Sequence, residues 1–188
     1  QMNTCLTIQG EEDRSYKLQN LISEQLVGQG FNEIMNNSLT KESYYTELNA
    51  YKNEHLVHIM NPLSGDLNVL RQTLLFGGME SITRNVNRKN SNLRFFEIGK
   101  CYRVDAKQQN AEGKDEEQTA KTVNRYSESY HLGLWITGKR VENNWAHPNE
   151  ESSVFELKGY VQDILVRLGL SFKGLKTEES TNNLFSKG

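Results

Sequence analysis

The chain has 188 residues, 36% of them hydrophobic and 24% charged, and that length favours one domain with one core of ordinary size. A net charge of −2 lacks the basic excess of a dedicated nucleic-acid binder. Two cysteines are too few for a disulfide framework, and no apolar run is long enough to span a membrane.

Tyr16 to Gln29 is predicted as an amphipathic helix. Leu18, Leu21, Ile22 and Leu26 fall at i, i+3, i+4 and i+8, which makes one apolar stripe. Asp13 or Ser15 can cap its start, and Gly30 stands where a left-handed stop is wanted. Phe31 to Thr40 follows as a strand with Asn36 and Asn37 side by side, and Lys41 to Asn53 as a short helix and loop. Leu56 to Met60 is a second short strand, ended by the turn chemistry of "NPLSGDLN".

Leu74 to Asn87 is the second helix, with Leu75, Met79, Ile82 and Val86 spaced 4, 3, 4. Gly77 and Gly78 weaken it, so something is expected to pack closely there. Leu93 to Val104, "LRFFEIGKCYRV", is rich in aromatic and β-branched residues and is predicted as a long strand. Residues 105–129 carry almost no apolar side chains and are expected to form a mobile polar hairpin loop. That stretch accords with the low mean hydropathy of −0.71. Tyr130 to Gly138 returns as a strand. Ser153 and Glu156 form a capping box for a last helix carrying Leu157, Val161, Ile164, Leu165 and Leu168, which Gly169 stops. The fold class is therefore α+β, an antiparallel sheet flanked by helices.

Chemistry-bearing groups are sparse. His55 and His58 point to opposite faces of a strand, so no metal site is expected. No nucleophile–base pair can be argued from spacing, and no catalytic residue is assigned. Arg84, Arg88, Lys89, Arg94, Lys100 and Arg103 form a local basic run, with Arg84 and Arg88 at i and i+4. It is either a phosphate-facing patch for tRNA or ATP, or a solvated face. Arg71 either binds a carboxylate or phosphate or holds the NPLS turn. Trp135 is expected in the core. Trp145 is either core or an interface anchor. The first residue is Gln1, and Lys187-Gly188 closes on no recognisable element, so residues 1–188 are expected to be an excised fragment of a longer subunit. Cys5 and Cys101 suit a reducing cytoplasm.

The order of short motifs resembles the class II aminoacyl-tRNA synthetase fold. "LQNLISEQLVGQGFNEIMNNSLT" resembles its first motif, a long helix and a Gly-Phe-x-Glu strand that closes on a proline, with Asn37 near the place of that proline. "LRQTLLFGG" resembles the segment leading into the next helix, and "FFEIGKCYRVD" the second motif. Within the class, "GFNEIMNNSLT", "NPLSGDLNVLRQTLLFGGMESITRNVNRKN", "RFFEIGKCY" and "FELKGYVQDIL" are similar to the β subunit of bacterial phenylalanyl-tRNA synthetase, from about Tyr16 to Leu170.

The resemblance implies a single catalytic-like module that does not catalyse. Such a module assembles with a catalytic α subunit into a heterotetramer and so supports charging of tRNA with phenylalanine. ATP and magnesium are used by the whole enzyme, and no cofactor is implied in this chain. Leu18, Leu21, Ile22 and Leu26 become interface candidates, although the same stripe could be the module's own core. Arg71 and Arg103 become vestigial or phosphate-facing candidates, and Arg84, Arg88 and Lys89 tRNA-facing candidates.

Adenylation needs fixed positive donors on both sides of the α-phosphate. Arg103, in the Arg-x-Asp arrangement with Asp105, supplies one. No glycine-rich third motif with the opposite arginine lies between Val104 and Gly188. Two other functions stay open: a free-standing class-II-like ATP-dependent amino-acid ligase, and a tRNA-contacting module.

Overall fold

The computed structural model of the chain describes residues 10–62, 64–104, 125–141, 144–171 and 183–185. Cys5, Asp105 and most of the 105–129 loop lie outside the described residues.

Helix α1 spans Glu11–Gly28, starting five residues before the predicted Tyr16. Gly10 is its N-cap, and Asp13 acts from the third helical position, its carboxylate accepting the Gly10 N–H at 3.1 Å. Ser15 instead accepts from Gln19. The stop is as expected. Gly30 takes φ 87°, the Phe31 N–H reaches back to the Leu26 carbonyl, and the Gly30 N–H reaches the Val27 carbonyl. Leu26 and Phe31 then pack against each other in the core.

The predicted strand 31–40 divides. β1 (Asn32–Glu33) and β2 (Leu39–Thr40) join different sheets, because the asparagine pair between them turns the chain. Asn37 Oδ1 accepts the Leu39 N–H, and Asn36 is drawn inward. The helix expected after Thr40 is one 3₁₀ turn, Glu42–Tyr44, with another at Asn53–His55. β3 (Val57–His58) and β2 flank β4 (Val69–Leu70) in a small antiparallel sheet.

Helix α2 spans Leu75–Val86. β5 (Leu93–Val104) has the predicted bounds. β6 (Tyr126–Thr137) begins four residues before the predicted strand, so Ser127, Glu128 and Ser129 belong to the ladder and not to the loop. The two strands pair antiparallel without interruption from Leu93↔Thr137 to Val104↔Tyr126. Polar residues are tolerated there because residues 126–131 of β6 are exposed, whereas Cys101 and Val104 opposite them on β5 are buried. β1 runs parallel to β5, so the main sheet is mixed, in the order β1-β5-β6. β7 (Lys139–Val141) and β8 (Glu150–Glu151) form a small hairpin.

Helix α3 spans Val154–Arg167. Ser153 Oγ accepts the Glu156 N–H, and Gly169 takes φ 75° at its end. Only half of the expected capping box forms, because the Glu156 carboxylate is bound to Arg94 at 3.0 Å.

Period-two alternation sends the two faces of β5–β6 into different cores. Phe96, Ile98, Leu132, Leu134 and Ile136 meet α1 and α3. Phe95, Cys101 and Trp135 meet Leu74 and the α2 side. Tyr45, Leu56 and Val69 form a third cluster. Trp135 is core, as expected, and the paired glycines explain how. A Cβ on Gly78 would stand 2.1 Å from the Trp135 ring, and one on Gly133 2.3 Å. The indole therefore lies in a slot that only glycine leaves open. Trp145 is fully exposed and is not core. The turn that carries it is fixed by Asn144, whose Oδ1 accepts the Ala146 and His147 N–H groups.

Gly78→Ala should destabilise the chain by about 1–3 kcal/mol through overpacking, even though alanine is the better helix former. Urea denaturation of the two forms checks this, and an unchanged or raised midpoint refutes the slot.

Alkali should also destabilise the fold. Burial pushes the Cys101 thiol up to about 11 and the Tyr45 phenol up to about 12. The folded chain then keeps protons that the unfolded chain releases, so this stability is intact below the unfolded values of 9.0 and 10.0. It is lost as pH rises toward the folded values. Guanidinium midpoints measured across that window should fall, and Tyr45→Phe should flatten the upper part of the decline.

Candidate functional site

Three groups of candidate residues have definite places. The α1 stripe is buried at one end and open at the other. Leu26 is fully buried, Leu21 and Ile22 are half-buried, and Leu18 is 46% exposed. The near end belongs to this module's own core. The far end, with Tyr16 also exposed, has no apolar cover within the described residues.

Arg71 follows the strand β4, and its side chain turns under β5. It is 6% exposed. Nη1 pairs with Glu97 Oε1 at 2.6 Å and approaches the Asn36 carbonyl at 3.4 Å, while Nε donates to the Lys100 carbonyl at 3.0 Å. Glu97, itself 2% exposed, also accepts the Asn36 side-chain amide at 2.8 Å and the Asn36 backbone N–H at 3.3 Å. Ser81 of α2 closes the network by donating to Asn36 Oδ1 at 2.9 Å. Gly99 lets the guanidinium lie against β5, because a Cβ there would stand 2.2 Å from Nη2. Arg71 thus binds a carboxylate, that of Glu97, and among the described residues its side chain makes no bond to the NPLS turn. Its backbone pairs with Ser38 and Tyr102.

The sequence left Asn36 and Glu97 without a role. The signal that could have found them is a charged residue, Glu97, inside an otherwise apolar strand core, which demands a buried partner.

The basic run separates. Arg94 pairs with Glu156 and lies 5.9 Å from the Tyr160 ring centroid, and Lys100 pairs with Glu128 at 2.6 Å. Arg103 is exposed at the end of β5, on the same face as Glu97 and Gly99 but beyond them. Arg84, Arg88 and Lys89 are exposed. Arg88 lies past the end of α2, so it does not extend the helix face of Arg84 as the spacing suggested. The chain turns at Lys89, with φ 68°. A cavity of about 270 Å³ between residues 35–40 and α2 has Arg71 and Arg84 among its walls. His55 Nδ1 donates to the Val104 carbonyl at 2.9 Å, and His58 is exposed.

Removing one partner of the buried pair should be costly. Glu97→Ala should destabilise by about 3–5 kcal/mol, since it strands the Arg71 charge, while Arg71→Met with Glu97→Met should cost clearly less than the sum of the single changes. Additive costs in a denaturation cycle would mean that the two groups are not coupled.

This helix, strand and hairpin order is shared with solved structures. A Bacillus halodurans C protein described as an ATP phosphoribosyltransferase regulatory subunit/histidyl-tRNA synthetase superposes with a TM-score of 0.58 at 17% identity, covering 92% of this chain and 39% of that one. The Desulfitobacterium hafniense pyrrolysyl tRNA synthetase PylSc superposes with a TM-score of 0.52 at 18% identity, covering 84% and 47%. At such identities the likeness establishes the fold, that of class II aminoacyl-tRNA synthetases.

Sequence relatives go further. The phenylalanine–tRNA ligase beta subunit of Bacteroides thetaiotaomicron is 57% identical over 185 residues, 98% of this chain, and that of Porphyromonas gingivalis is 49% identical over 176. The chain spans 22% and 20% of those two proteins. With the model of the phenylalanyl tRNA synthetase beta chain CLM domain matching residues 1–188, the chain belongs to that family.

Proposed function

We propose that this chain is a non-catalytic module of a phenylalanyl-tRNA synthetase β subunit. In this reading it supports ATP-dependent charging of tRNA with phenylalanine by assembling with the catalytic α subunit and stabilising it. The observation that carries the proposal is the α1 stripe, closed at Leu26 and open at Leu18, in a chain whose relatives are named beta subunits. A stripe half-covered by the described residues is what helix packing between subunits requires. The setting is the cytoplasm, and ATP and magnesium are bound by the whole enzyme and not by this chain. Commitment of Arg71 to Glu97 supports that division, because a guanidinium paired in the core is not free to meet a phosphate.

Co-purification with an α subunit tests the reading. Leu18→Glu together with Leu21→Glu should weaken the association by about 30-fold or more, a loss of ~2 kcal/mol or above typical of an interface hot spot. Normal assembly by a folded variant removes the interface role. Calorimetric titration of Mg-ATP, with and without phenylalanine, should give no heat of binding. Binding abolished by Arg103→Ala would favour the free-standing ligase instead.

A second reading, contact with tRNA, is favoured by the exposure of Arg84, Arg88 and Lys89. If these residues meet phosphates, binding should fall steeply with salt, and each substitution should lower the slope by about one.

A further inference from the structure

We propose that residues Asn183–Phe185 are a strap that closes a hollow on the α2 side of the main sheet, with the Phe185 ring as the occupant. The inference goes beyond assembly with an α subunit and does not use the α1 stripe. It starts from two backbone groups in a turn. Glu47 and Asn49 lie between the two 3₁₀ turns, outside every helix and strand, so the Glu47 carbonyl and the Asn49 N–H have no ladder to satisfy them. Asn183 satisfies both. Its side-chain amide carries a donor and an acceptor side by side, as a peptide group does. Nδ2 donates to the Glu47 carbonyl at 2.5 Å, and Oδ1 accepts the Asn49 N–H at 3.1 Å. These bonds reach across 136 and 134 positions of sequence, so they tie two distant segments together.

The anchor point is itself held in place. Tyr45, at the start of the same turn, is 1% exposed, and its hydroxyl accepts the Gln72 N–H at 3.1 Å. Gln72 Nε2 donates to the Lys52 carbonyl at 3.0 Å on the far side of the turn. Gln72 stands just before α2, so the turn keeps a fixed relation to Leu74 and to the hollow beside it. Two residues past the anchor, Phe185 borders that hollow together with Tyr51, Leu74, Gly133 and Trp135. The ring is 53% exposed, so it stands at the mouth with part of its surface still to bury.

Size and tethering decide the occupant. The hollow measures about 260 Å³. An apolar cavity of ~150 Å³ already holds a benzene ring, so there is room for the Phe185 side chain. Tyr51 and Trp135 in the wall offer aromatic surfaces for it to meet. Rotation about the side-chain bonds of Phe185 carries the ring inward while Asn183 keeps both of its bonds. A group on a short tether meets its site at an effective concentration of about millimolar, so a more dilute aromatic ligand has to bind correspondingly more tightly to displace it. The hollow is thereby reserved for a side chain of the same chain.

The test uses the full-length β subunit co-expressed with its α subunit. With p-benzoylphenylalanine in place of Phe185, irradiation should link that position to peptides containing Tyr51, Leu74 or Gly133 and Trp135, as read by mass spectrometry. Links to any other part of the β subunit or to the α subunit overturn the strap, and so does the absence of a link. In the same full-length protein, Asn183→Ala should speed hydrogen exchange at the Asn49 amide by about five-fold or more, because that N–H loses its acceptor. Unchanged exchange overturns the anchor. Assembly with the α subunit is scored in the same samples, so failure of the strap and failure of the α1 interface are told apart.

Discussion

Everything in the module is arranged around one buried ion pair. Glu97 sits inside the long strand β5, where an apolar side chain would be the ordinary occupant, and its carboxylate accepts three hydrogen bonds. Arg71 brings the segment after β4 under β5, Asn36 brings the end of the first motif, and Ser81 ties in α2 through Asn36. Four elements distant in sequence meet at one charge. A buried pair of this kind returns little net stability, because desolvation offsets most of the attraction. What it does enforce is register, since any slip of β5 leaves a carboxylate buried without a partner.

The hydrophobic layers build on that register. With Glu97 fixed on the α2 side, Phe96 and Ile98 must face α1 and α3, while Phe95 and Cys101 must face α2. Trp135 then falls into the glycine slot beside α2. The same arrangement leaves surface over. Among the described residues, α1 covers the sheet with its C-terminal turns only, and β6 is the last strand of the main sheet. Both features lie in a module that spans about a fifth of its relatives' length.

Much of this was legible from residue spacing. The three helices, the glycine stops of α1 and α3 and the long strand from Leu93 to Val104 follow from period, capping and composition, which act over a few residues. What spacing misplaced was decided at a distance. The 31–40 strand is cut because Asn36 is recruited by Glu97, sixty-one positions away. Ser127 to Ser129 become strand because β5 is there to pair with them. The basic run looked like one patch, yet Arg94 and Lys100 are taken by Glu156 and Glu128, which the linear order does not bring near.

The sequence by itself determined the class of fold, the helical faces and the family resemblance, because these depend on periodicity and on motif order along one chain. Only the tertiary structure decided the fate of individual charges. Arg71 is spoken for inside the core, while Arg84, Arg88, Lys89 and Arg103 remain at the surface. The physical reason is that a long cationic side chain carries no local signal of its destination. Whether it meets water, a phosphate or a buried carboxylate depends on which distant strand passes within about 3 Å of its end.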